Sequence, residues 1–262
     1  MMLASRSYGD LSGPVVLFLH GFMGCGEDWR SICKELQPRH GCLTIDLPGH
    51  GDSAIWDGNC WDIESTAAAC IDVLDSHSIE KCVLTGYSMG GRVALYLAIK
   101  FPDRFAGIVL ESASPGLENA KERSARRRVD YDRAAMLEKT GLQGFLKSWY
   151  NMPLFSETLT ETQKAHLLQK RSKNNVSAVA RSLRELGTGV QPSLWNQLAE
   201  IILPLFLFVG EKDAKFIQIA EEMQQLNPGA SINVFPNCGH NCHLENTKLF
   251  VTTLQTVLNK VF

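Results

Sequence analysis

The stretch that most restricts this chain is Leu84-Thr85-Gly86-Tyr87-Ser88-Met89-Gly90-Gly91. Ahead of it, Cys82-Val83-Leu84 is a short apolar run with the character of a buried strand. After it, Val93-Ala94-Leu95-Tyr96-Leu97-Ala98 continues with the spacing of a buried helix. The G-x-S-x-G pattern between them makes a strand-to-helix turn that is sterically crowded. Gly86 and Gly90 let neighbouring backbone close up, so the Ser88 hydroxyl projects at the start of a helix, beside N–H groups without intrahelical partners. A Gly/Ser turn alone is also compatible with a purely structural role. Strand and helix on its two sides favour catalysis.

A serine of this kind needs a base, and a base needs an orienting acid. Both follow in the chain. Leu203-Pro204-Leu205-Phe206-Leu207-Phe208-Val209 reads as a buried strand, with Gly210-Glu211-Lys212-Asp213 leaving its end. Ile232-Asn233-Val234-Phe235 is another strand, followed by Pro236-Asn237-Cys238-Gly239-His240. Serine, acid and histidine in that order, each after a strand, fit the α/β-hydrolase pattern. Asp213 is then expected to orient His240 and stabilise its charged form, while His240 takes the Ser88 proton.

The rest of the chain supports an α/β-hydrolase fold, a doubly wound and mostly parallel sheet. Val15-Val16-Leu17-Phe18-Leu19 is an early strand running into His20-Gly21-Phe22-Met23-Gly24. The backbone N–H of Phe22, with that of Met89, is the expected oxyanion hole. Glu27 to Gln37 looks helical and stops before Pro38. Leu43-Thr44-Ile45 is the next strand, Thr66 to Ser76 a helix, and Phe105 to Glu111 the strand after the elbow helix. The loop Asp46-Leu47-Pro48-Gly49-His50-Gly51-Asp52-Ser53 reads as structural, with Asp46 and His50 satisfied inside it. Alternation of strand and helix argues for parallel pairing.

At 262 residues and 45 % apolar content the chain makes one core of α/β size with an insertion. From Gly116 to Trp195 strand signals cease, and these residues hold 14 of the 26 Lys/Arg but 8 of the 28 Asp/Glu. The expected division is therefore a hydrolase core over 1–115 and 196–262, with a helical cap over 116–195 inserted after the sixth strand. The cap carries +6 and the remainder −8. Basic charge where a ligand must enter suggests a small anionic substrate, although most of these side chains face solvent. A net charge of −2 gives no reason to expect nucleic acid. No segment approaches a membrane span and no secretory leader is evident, so a soluble, cytoplasmic protein is expected, with its oligomeric state open. The eight cysteines include no CxxC and read as reduced.

Several stretches resemble the MenH family, the 2-succinyl-6-hydroxy-2,4-cyclohexadiene-1-carboxylate synthases of menaquinone and phylloquinone biosynthesis. They include Gly86-Tyr87-Ser88-Met89-Gly90-Gly91-Arg92, Ser114-Pro115-Gly116-Leu117, Ser148-Trp149-Tyr150, Arg171-Ser172 with Asn174-Asn175, and Gln191-Pro192-Ser193-Leu194-Trp195. Gly210-Glu211-Lys212-Asp213-Ala214-Lys215-Phe216 and Gly239-His240-Asn241-Cys242-His243-Leu244-Glu245-Asn246 complete the set. The resemblance implies pyruvate release from a carboxylated ring carrying a succinyl arm, with no metal or organic cofactor. It implies catalytic roles for Ser88, Asp213 and His240, and substrate contacts from Tyr87, Arg92, Arg126, Trp149 and Arg171. Arg126 has Arg127 and Arg128 beside it and Arg171 follows Lys170, so the register of both cap arginines stays open. Arginine suits such contacts because its planar fork accepts a carboxylate through two bonds. Arg92, four residues past Ser88, lies one helical turn from the hydroxyl on the same side.

The same three residues also serve hydrolysis of esters, thioesters or C–C bonded diketones, and a non-catalytic ligand receptor on this fold is a further alternative. The intact serine, acid and histidine speak against the receptor. Cys238, His240, Cys242 and His243 crowd together, but they lack the second spaced pair of a structural zinc site, and His240 is already engaged.

Overall fold

The computed structural model describes residues 2–57, 60–156 and 158–262. Seven strands form one sheet: β1 Ser5–Tyr8, β2 Val15–Leu19, β3 Gly41–Ile45, β4 Cys82–Tyr87, β5 Phe105–Glu111, β6 Leu205–Gly210 and β7 Ser231–Phe235. Their order is β1-β3-β2-β4-β5-β6-β7, with β1 antiparallel to β3 and every other pair parallel. Strands β2, β3, β4 and β6 are buried along their whole length. That burial is why they read as continuous apolar runs, since a parallel strand is covered on both faces.

Helices cover both faces. On one, α1 (Arg30–Leu36) and α10 (Thr247–Val261) bury Ile32, Leu36, Phe250 and Leu254 against Phe18, Phe208 and Phe235. On the other, α2 (Ile63–Ser76), α3 (Met89–Lys100) and α8 (Ala214–Leu226) pack Val73, Leu97 and Met223 against Leu17, Leu84 and Leu207. Helix α2 begins three residues before the expected Thr66, because the Asp62 carboxylate accepts the Ser65 N–H and caps it. The segment expected as one helix from Glu27 divides into a 3-10 turn, Gly26–Trp29, and α1.

Between β5 and β6 lie α4 (Ala120–Tyr150), α5 (Pro153–Ser156), α6 (Glu161–Arg171) and α7 (Val176–Glu185). The insertion follows the fifth strand, where the sixth was expected, because the 14 residues before Val15 have length for only one strand and its turn. These helices build a separate apolar cluster from Leu137, Phe145, Leu146, Val179 and Leu183, into which the body contributes Met23. Each such large side chain contributes roughly 1.5–3 kcal/mol of burial. Helix α4 turns sharply at Gly141 (φ 68°, ψ 178°), a conformation open essentially to glycine alone. The short α9 (Cys242–Glu245) precedes α10. All eight cysteines are free. Among the described residues no helix is long and apolar enough to cross a membrane.

Candidate active site

The chain reverses at the tip of β4. Ser88 has φ 50° and ψ −105°, a strained setting for a residue with a side chain, and its N–H is held by the Glu111 carbonyl at 2.8 Å. A Cβ on Gly86 would lie 2.5 Å from the Gly90 carbonyl oxygen, and one on Gly90 would lie 2.3 Å from that of Leu19. No other residue fits either place. The result is a serine hydroxyl lifted off the sheet with the first turn of α3 beneath it.

The other two residues arrive from the neighbouring strand ends. Asp213 follows β6 at the start of α8, and its Oδ2 is 2.7 Å from His240 Nδ1. His240 Nε2 is 3.1 Å from Ser88 Oγ. Asp213, as the acceptor of the Nδ1 proton, leaves Nε2 free to accept from the serine. The histidine loop is braced by Glu245, whose carboxylate accepts the N–H groups of Gly239 and Asn241. Phe216 and Phe155 rings flank the imidazole, at centroid distances of 4.6 and 5.9 Å. Serine and histidine are 152 positions apart in the chain, yet make direct contact.

The loop after β2 is pinned by two buried histidines. His20 Nδ1 donates to the Gly21 carbonyl and its Nε2 accepts the Leu47 N–H. His50 Nδ1 donates to the Pro48 carbonyl and its Nε2 accepts the Met23 N–H at 3.1 Å. Each ring is therefore neutral with one donating and one accepting nitrogen. Burial pushes the His50 pKa down to about 3, with His20 adding to the effect. Asp46 accepts the N–H groups of Gly26 and Asp52 and pairs with Arg6. Among the described residues the Phe22 N–H has no acceptor, and the Met89 N–H opens α3, where helices leave their first donors unpaired.

Above Ser88 lies a cavity of about 670 Å³ between the sheet edge and the inserted helices. Its floor holds Ser88, His240, Tyr87 and Arg92, and its roof Arg126, Arg133 and Trp149. Arg126 Nε donates to both oxygens of the buried Asp130, and Arg133 lies 3.5 Å from the same carboxylate. Arg92 is 8 % exposed and meets no carboxylate. It donates to Gln191 Oε1 at 2.8 Å and to the Leu186 carbonyl at 3.0 Å. Burial pushes its pKa down to about 10; Arg126 pushes the same way and Asp130 opposes. Two guanidinium groups thus share one carboxylate in the cavity wall, while the third, Arg92, has neutral acceptors alone. Lys215, Glu118, Glu122 and Glu222 stand at its edge.

Residues 14–247 match the α/β hydrolase fold family. The chain is 36 % identical over 264 residues to the 2-succinyl-6-hydroxy-2,4-cyclohexadiene-1-carboxylate synthase of Citrobacter koseri, spanning 98 % of this chain and 99 % of that one. It superposes on the structure of MenH from S. aureus with a TM-score of 0.93, at 32 % identity and 99 % coverage of both chains. The chain belongs to the MenH family. An enol-lactonase from Burkholderia xenovorans LB400 also superposes, with a TM-score of 0.81 over 98 % of this chain and 96 % of that one, but at 18 % identity it shares the fold alone.

Of the residues that the MenH resemblance singles out, Ser88, His240, Tyr87, Arg92, Arg126 and Trp149 line the cavity, with Asp213 behind His240. Arg126 lines the cavity, while Arg127 and Arg128 are exposed. Arg171 does not reach this cavity. It is buried behind the Phe22 loop, where Nη1 donates to Asp28 Oδ1 at 2.9 Å and Nη2 meets Oδ2 at 2.6 Å. Asp28, although buried, is held down at about 2 by Arg171 and, less strongly, by Lys170. The physical reason is charge: a carboxylate of the body already occupies the fork. Arg133 is a cavity residue that the sequence reading did not single out. Its position seven residues beyond Arg126 places it on the same helix face, and its guanidinium stands 5.4 Å over the Trp149 ring.

Proposed function

We propose that this protein eliminates pyruvate from 2-succinyl-5-enolpyruvyl-6-hydroxy-3-cyclohexene-1-carboxylate, giving 2-succinyl-6-hydroxy-2,4-cyclohexadiene-1-carboxylate. The observation that carries the reading is Arg92: a buried guanidinium without a carboxylate, one helical turn from Ser88 and facing the same cavity. Burying an unpaired cation is costly, and an anionic substrate is what would offset it. A neutral ester gives no reason for such a group.

In this reading Ser88, deprotonated by His240, removes a proton from the ring. The electron pair moves through the ring, the C–O bond to the enolpyruvyl group breaks, and the leaving group departs as enolpyruvate, which tautomerises to pyruvate. The Phe22 and Met89 N–H groups stabilise charge developing on the substrate oxygen conjugated with the reacting carbon. Asp213 fixes the His240 tautomer and stabilises the imidazolium. Tyr87, Arg92, Arg126 and Trp149 bind the substrate, and Arg133 joins them. No metal or organic cofactor takes part. Helices over 116–195 act as the cap that excludes water, and a cytoplasmic enzyme with a small polycarboxylate substrate is the setting supposed.

The test is pyruvate release from the pathway intermediate, coupled to lactate dehydrogenase, beside turnover of a neutral nitrophenyl ester. Pyruvate release with little ester turnover is expected. Ester turnover without pyruvate would leave a hydrolase.

A further inference from the structure

Around Arg92, one in the cavity wall and one behind it, two hydrogen-bond donors have no acceptor among the described residues. Gln191 is 3 % exposed, and its Oε1 accepts from Arg92 Nη1. Only the oxygen of an amide can accept from a guanidinium, so the orientation of this side chain is fixed. Its Nε2 is then a buried donor with no partner. It lies beside Gly116, where a Cβ would stand 3.4 Å from it, and Gly116 lines the cavity. A second orphan is Ser182 Oγ, buried on α7 and lining the cavity itself. The Leu186 N–H bonds the Ser182 carbonyl, and the Leu186 carbonyl accepts from Arg92, so Ser182 sits one turn from the guanidinium's second anchor.

Buried polar atoms in native proteins are almost always hydrogen-bonded, and an orphan calls for an explanation. Here neutral acceptors alone hold an unneutralised guanidinium in place, with the orphaned Ser182 hydroxyl in the same cavity and the orphaned Gln191 amide behind it. We infer that Gln191, Ser182 and Arg92 form a seat for one substrate carboxylate, in which Gln191 is a positioning residue that fixes Arg92 without cancelling its charge. A glutamate of the same shape would hold the guanidinium equally well and would occupy the fork that the substrate needs. The amide is therefore what keeps the site open to an anion. Ser182 supplies a neutral donor to the same carboxylate. This inference rests on the functional reading above and extends it to two residues outside the serine, acid and histidine.

The test compares Gln191→Glu with Gln191→Met in the full chain. Gln191→Glu keeps the shape and gives Arg92 a charged partner, so its thermal midpoint should equal or exceed that of the native protein. Its KM for the pathway intermediate should nevertheless rise about 30-fold or more, the range for losing a desolvated charge contact, with a smaller change in kcat. Gln191→Met leaves an Arg92 donor unpaired and should be less stable, yet should raise KM less than the glutamate does. A merely structural residue would give the reverse order. Ser182→Ala should raise KM about two- to tenfold, the effect of one neutral hydrogen bond. In an Arg92→Ala background, Gln191→Glu should cause almost no further loss, since there is no cation left to neutralise.

A Gln191→Glu KM within threefold of native would overturn the seat, as would a loss undiminished in the Arg92→Ala background. If the native protein releases no pyruvate, the functional reading falls by itself. The seat is then read by calorimetric binding of succinate to native protein and to Gln191→Glu. Weaker binding to the variant supports it, and equal or absent binding in both overturns it.

Discussion

At the scale of the residue, the roles proposed for Ser88, His240 and Arg92 each make their own prediction. Ser88 projects into the cavity instead of packing a core, so Ser88→Ala should fold normally and lose about 10²–10⁴-fold in kcat, the range for general-base catalysis. His240→Ala should match it, and the double variant should be little worse than either, because the two act as one unit. Steady-state kinetics with circular dichroism as the folding control decides the matter; near-native turnover in Ser88→Ala would end the proposed mechanism. Arg92→Ala removes the partner of a carboxylate in a dehydrated cavity and should reduce kcat/KM for the intermediate by about 30-fold to several thousand-fold, or 2–5 kcal/mol. Arg92→Lys should also be impaired, since an ammonium cannot replace a planar fork anchored at both Gln191 and Leu186. Unchanged kinetics in Arg92→Ala would remove the argument for an anionic substrate, and unchanged kinetics in Arg92→Lys the argument for the planar fork.

At the scale of the element, the insertion is fastened from behind to the loop that follows β2. Arg171 ends α6 and grips Asp28, while Asn174 donates to the Met23 carbonyl, so both contacts reach the segment that carries Phe22. Arg171→Met strands a buried carboxylate and should destabilise the fold by about 3–5 kcal/mol, whereas the double variant Asp28→Asn, Arg171→Met should recover much of that loss. Chemical denaturation of the native protein, the two single variants and the double variant measures it, and strict additivity would mean the pair is not energetically coupled. This pair also marks the limit of what the sequence makes legible. Ser88, Asp213 and His240 could be found because each follows its own strand, a local pattern written in apolar runs. Asp28 and Arg171 are 143 positions apart, and no local pattern joins them, so Arg171 reads as one more cap arginine. Ser182 is silent, and Gln191 figures only within a stretch that carries the family resemblance, for another reason: a neutral polar side chain stands out only when its missing partner is visible. Arg126, Asp130 and Arg133 lay within reach of helical spacing, since positions four and three apart share a face.

At the scale of the whole molecule, the two histidines under the loop after β2 link stability to pH. The unfolded chain binds a proton at each near pH 6.5, while in the folded protein burial lowers both, His50 to about 3. The unfolded state therefore holds more protons through that window, and stability falls as pH drops from about 6.5 toward 3, by at most about 1.4 kcal/mol per pH unit per histidine. His50→Gln, which can still accept from Met23, should flatten the slope of unfolding free energy against pH between 6.5 and 4. An unaltered slope would mean that His50 does not carry the linkage. The separation of Ser88 and His240 by 152 positions has a temporal consequence. At synthesis rates of about 5–20 residues per second, the elbow serine is added to the chain roughly 8–30 s before its histidine. A nascent chain accordingly carries the serine without its base, and chemical competence waits for β7 to join the sheet edge and bring His240 to it. In a refolding experiment, the return of turnover would serve as a clock for the last strand to dock.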